Sequence, residues 1–100
     1  MKRQKFETLV DVYDQLRAMG VVTSTDDFST NWLGMNKSYL RCVRAKGTDP
    51  SAKALAYVVQ RLRTSSLALK ASSQPKVKAA GRHLAVLAER CADEIFSGTK

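Results

Sequence analysis

The residues with most to offer chemically are cations. Lys37, Arg41 and Arg44 follow one another at intervals of four and three. At 100° per residue they fall within about 60° of one another around a helix, with Tyr39, Leu40 and Val43 on a separate arc. A short helix divided in this way can be braced by its apolar arc while its basic arc meets a wall of phosphates. Arginine and lysine also bond the major-groove edge of guanine, arginine with the better bidentate fit. Comparable material for catalysis is missing. There is one histidine, His83, and the two cysteines, Cys42 and Cys91, stand far apart with no CxxC. No glycine-rich phosphate loop or metal-ligand cluster is visible, and Asp26-Asp27 and Asp93-Glu94 read as ordinary helix-end or solvent charges. The expectation is a protein that is not an enzyme and uses neither cofactor nor metal.

Charge is concentrated where those cations lie. The 100 residues carry a net charge of +8. Eleven of the 17 lysines and arginines fall within 37–82, with Asp49 as the only acid there, while the segments on either side are each slightly acidic. Such a block points to a polyanionic partner, nucleic acid foremost, against the plainer reading of a wet cationic surface. Hydrophobic residues at 44% and charged residues at 26% fit a globular chain, and this length buries roughly 65% of its unfolded surface, enough for one modest core. No apolar run approaches the ~18 residues of a membrane span, and reduced thiols in a cytosol are expected.

The elements that must hold the basic segment are helical in spacing throughout. Phe6, Leu9, Val10, Tyr13, Leu16 and Met19 mark one face of a first helix, which Gly20 ends. Ser24 or Thr25 caps a second, with Asp26 and Asp27 in its first turn and Phe28, Trp32 and Leu33 inward; Gly34 ends it. Asn36 reads as the N-cap of a third helix running to about Lys46, before Gly47. Asp49-Pro50 reads as the start of a fourth, with Ala52, Leu55, Val58, Val59 and Leu62 at core spacing and Thr64-Ser65-Ser66 weakening its continuation to Leu69. After the break at Ser72-Ser73-Gln74-Pro75 comes a last helix, with Val77, Ala80, Leu84, Leu87, Cys91 and Ile95 on one side. The expected fold is all-α, about five helices. Residues 1–73 form the core, and residues 74–100 form a helix that closes the core, builds a dimer interface through Val77, Leu84 and Cys91, or does both.

Leu33-Gly34-Met35-Asn36-Lys37-Ser38-Tyr39-Leu40, then Val43, Pro50-Ser51, Leu55, Val58 and Leu62, resemble the phage-repressor/Cro-like (Xre-type) helix–turn–helix family over about forty residues. Phe28-Ser29, Trp32-Leu33-Gly34 and Ser38-Tyr39-Leu40 are also similar to small bacterial helix–turn–helix proteins. The resemblance implies a helix–turn–helix made by the second and third helices, residues 36–46 being the recognition helix. In it Lys37 and Ser38 face base edges, Arg41 and Cys42 follow them into the groove, and Asn36 caps the helix and touches a phosphate. Ser29 and Thr30 stand where the family has an apolar residue and alanine, and Arg44 replaces its usual late acid, enlarging the basic face. Tyr39 either packs inward or reaches a phosphate through its hydroxyl; Lys46 extends the phosphate contacts. Cys42 is either a small packing residue or an exposed, oxidisable one.

The expected function is therefore sequence-specific binding of double-stranded DNA by a small bacterial or phage transcriptional regulator, a homodimer of the bacterial cytoplasm associated with the nucleoid and not with membrane. The alternative is an interaction module, such as an antitoxin, anti-activator or phage inhibitor, that meets an acidic protein partner.

Overall fold

The computed structural model describes residues 4–97, and side chains from 5 to 94. The fold is all-α: α1 (Gln4–Ala18), α2 (Thr25–Asp27, continued without a break by a π-helical turn over Phe28–Trp32), α3 (Tyr39–Lys46), α4 (Ala52–Lys70) and α5 (Pro75–Ser97). No strand occurs among the described residues, and none of their helices is long and apolar enough to cross a membrane.

The core follows most of the apolar spacing, except that Ala52 is exposed and that in α1 Val12 is inside while Val10 is half-buried. Phe6, Leu9, Val12, Tyr13 and Leu16 of α1 meet Phe28, Trp32 and Leu33 of α2, Leu40 and Val43 of α3, the 54/55/58/59/62 face of α4, and Leu84, Leu87, Ala88, Cys91 and Ala92 of α5. Phe28 and Trp32 are thus core residues, Phe28 meeting Tyr13 edge to face at 5.4 Å between ring centroids. Leu84, Leu87 and Cys91 are buried within the single chain, so α5 closes the monomer's core; Ile95 lies outside the residues whose side chains are described.

Four local expectations need correction. The third helix begins at Tyr39, not at Asn36: residues 37 and 38 form a turn in which the Asn36 carboxamide oxygen accepts from the Ser38 amide (3.0 Å) and hydroxyl (2.9 Å), an Asx turn ahead of the helix. Asp49 does not cap α4. Its carboxylate accepts the Phe6 amide in the first turn of α1 (3.3 Å), while Ser51 caps α4 by accepting from the Ala54 amide (3.2 Å). Pro50 is buried before the helix rather than opening it. The serine-rich stretch does not weaken α4 either. Ser66, buried, donates to the Gly81 carbonyl of α5 (2.7 Å), and a Cβ on Gly81 would stand 2.9 Å from the Ser66 carbonyl oxygen and the Lys70 nitrogen. There the two backbones touch, which serine and glycine permit and larger residues do not.

Candidate nucleic-acid interface

The basic segment is held by α2 and the turn that follows it. Ser24 caps α2 by accepting the Asp27 amide (3.1 Å), and Asp27 reaches back to accept the Thr23 amide (3.0 Å) while also taking the Asn31 carboxamide. The Thr23 amide foremost, then Asn31, holds the Asp27 carboxyl below the usual carboxylate range. Past Asp27 the helix widens: the Leu33 amide reaches the Phe28 carbonyl five residues back (3.1 Å). At this widening the Thr30 hydroxyl donates to the Asp26 carbonyl (3.1 Å). The π turn brings Phe28, Ser29, Trp32 and Leu33 all inside.

Two contacts then fix α3 against α2. Ser29 is fully buried; its hydroxyl accepts the Leu40 amide (3.2 Å) and its carbonyl accepts the Met35 amide (3.0 Å). One residue of α2 thereby satisfies an amide in the first turn of α3, a group that helix geometry leaves without an internal partner. Gly34 supplies the reversal with φ +66°, and its α-carbon lies against the Tyr57 ring of α4, so close that a Cβ would sit 2.7 Å from ring carbons. Leu40 and Val43, 1% and 6% exposed, brace α3 from behind, and Gly47 ends it in the left-handed region at φ +71°.

On the outer side the expected residues are distributed as follows. Asn36, Lys37, Arg41, Cys42, Arg44 and Lys46 are exposed; Ser38 and Tyr39 are half-buried. Arg41 pairs with Asp26 of α2 at 3.2 Å, both side chains well exposed at 58% and 45%. Arg44 lies over the Phe6 ring of α1, 5.9 Å from its centroid. The two arginines share the outer side of α3 but lean toward different neighbours. The Tyr39 hydroxyl accepts the Ser51 amide (3.0 Å), tying α3 to the start of α4. Cys42 Sγ stands 3.9 Å from the Ser38 hydroxyl. On α4, Arg61 donates through Nε to the Asn31 carbonyl (2.9 Å) and covers the Trp32 ring at 4.9 Å, closing the back of α2.

Sequence reasoning missed Asp26 as an ion-pair partner, Tyr57 as the floor under Gly34 and the capping role of Ser29. Only Ser29 left a trace, as a hydroxyl in a place where the resembling family carries an apolar residue. Of the remaining polar side chains, His83 is exposed and bonds Gln15, and Arg90 pairs with Asp11, both joining α5 to α1. No group of three or more histidine, cysteine or acidic side chains among the described residues stands close enough to hold a metal ion.

Fold and surface together define a small all-α chain that carries a short cationic helix outward on an apolar brace. The chain belongs to DUF6626, a family of unknown function, whose family model matches residues 9–99. No curated protein and no solved structure matches it.

Proposed function

We propose that the chain is a sequence-specific double-stranded DNA-binding protein, a small bacterial or phage transcriptional regulator in which α2, the Gly34 turn and α3 work as a helix–turn–helix. The observation that carries the reading is the division of one short stretch: Lys37 on the turn before α3 and Arg41, Arg44 and Lys46 on α3 itself are all exposed, with Leu40 and Val43 buried behind them. A helix braced in that way fits a phosphate-walled major groove. Phosphate contacts from Lys46, Arg44 and the neighbouring cations supply affinity, and Lys37, Ser38 and Arg41 supply discrimination among bases. The Asn36 Asx turn ahead of the helix and the Tyr39–Ser51 tie hold those side chains in register. One such unit makes few base contacts, so paired half-sites and two copies of the chain belong to the proposal. It works in the bacterial cytoplasm, at the nucleoid.

In vitro site selection with the full chain, followed by a mobility shift on the selected duplex and on a scrambled one, tests the reading. Enrichment of one motif and a preferential shift support it. A protein captured by pull-down, with no duplex shifted, would replace it by the interaction-module reading, in which the same cations meet acidic side chains.

A further inference from the structure

The most exposed of the large apolar side chains described is not on α3. Leu67, on α4, is 68% exposed. On one side of it lies a recess of about 450 Å³ lined by Ala56, Val59, Arg63, Thr64 and Ala92; on the other lies one of about 230 Å³ lined by Ser66, Lys70, Ala85, Ala88 and Glu89. The face therefore carries a knob beside two holes whose linings are rich in small residues. Its rim is of mixed sign: Arg63 and Lys70 on α4, Glu89 on α5, all exposed and none with an ion pair among the described residues. Around α4 the Leu67 direction is about 100° from that of Tyr57 and Arg61, which meet the turn and α2.

We propose that this face joins two copies of the chain through a two-fold axis, the Leu67 side chain of each entering the recess of the other while Arg63 and Lys70 of each approach Glu89 of the partner subunit. A knob, a hole and both signs of charge on one patch are what an isologous contact needs, because each patch must complement itself. A partner of single-signed charge would leave Glu89 or the two cations opposed by like charge. The second copy falls on this face and not on the 77/84/91 series of α5, since Leu84 and Cys91 already lie in the monomer's core. The inference rests on the regulator reading for its purpose, but its test contains no DNA, so the two fail separately.

The test is sedimentation equilibrium of the full chain over a wide concentration range, with Leu67→Glu and, as control, Val86→Glu, whose side chain is 58% exposed on α5 and lines neither recess. Thermal melts by circular dichroism check that both variants remain folded. The expected result is a dimer whose dissociation constant rises at least about tenfold in L67E and stays within about twofold in V86E. A wild-type chain monomeric at every concentration overturns the proposal and leaves the face to a different partner. So does a dimer that L67E leaves intact, or one that V86E dissociates.

Discussion

Asp26 Oδ1 stands 3.2 Å from the Arg41 guanidinium, so the arginine to which the proposed function gives base reading is held by an acid on the preceding helix. Both side chains are exposed, and exposed pairs of this kind are weak, about 0.2–1 kcal/mol. A phosphate or a guanine edge can therefore displace the carboxylate at modest cost. Asp26→Asn removes the competitor and one negative charge together; the expected outcome in a fluorescence-anisotropy titration at low salt is about two- to fivefold tighter binding, with less discrimination between selected and scrambled duplex. Weaker binding by D26N would instead make Asp26 a positioning residue for Arg41.

Salt dependence separates the contacts. With about six phosphates neutralised, the logarithm of the association constant should fall against that of salt with a slope near −5. Arg41→Ala is expected to relax base preference, and Lys46→Ala to weaken all duplexes alike and flatten the slope by about one. The reverse pattern would mean that α3 is not the reading element.

The joint between α2 and α3 rests on small residues. Ser29→Ala conserves burial but leaves the Leu40 amide without its acceptor, and about 1–2 kcal/mol of stability is expected to go, read by urea unfolding. Gly34→Ala adds a methyl group to a left-handed backbone and drives it into the Tyr57 ring; a cost of about 1–3 kcal/mol is expected, partly relieved in G34A/Y57A.

Asp27 sets an acid limit. Its carboxyl is held below the ordinary range by the Thr23 amide and Asn31, so its folded pKa lies under its unfolded one. The stability it contributes is fully present above the ordinary carboxylate pKa of about 4 and is lost as pH falls through the lowered folded value. Asp27→Asn should therefore unfold at lower urea than wild type at neutral pH, the gap closing below about pH 4. A gap unchanged down to pH 2 would refute the assignment.

The thiols differ in the same molecule. Cys91 is buried, and desolvation pushes its pKa up to about 11, whereas Cys42 is exposed on α3. An aromatic disulfide reagent is expected to titrate one thiol in the native chain and two after unfolding, with Cys42→Ser abolishing the native reaction. Saturating operator duplex should slow the reaction of Cys42 if α3 lies in the groove.

What the sequence made legible was what repeats along a helix. Leu9 and Leu16, Val58 and Leu62, Leu84 and Leu87 disclose their buried faces by interval alone, and Gly20 and Gly47 mark their helix ends because both adopt positive φ. What stayed illegible was pairing across the chain. Asp49 has every local mark of a cap for α4, yet its acceptor oxygen serves the Phe6 amide 43 residues earlier. Ser66 looks like a poor helix residue until Gly81 is laid beside it, and no interval links Asp26 to Arg41. The start of α3 was misplaced for a related reason: Asn36 can cap a helix or an Asx turn with the same oxygen, and only the backbone after it distinguishes the two.

The widened turn at Phe28–Trp32 makes chain length itself a requirement. It holds one residue more per loop of hydrogen bonding than an α-helix would between the same ends. Excising a single position from that bulge would close it to ordinary winding and spread the inward arc of Phe28, Ser29, Trp32 and Leu33, loosening the reach of Ser29 to its distant amide even if no named side chain were altered. Deletions here should thus be far less tolerated than replacements, a fingerprint to seek among sister sequences.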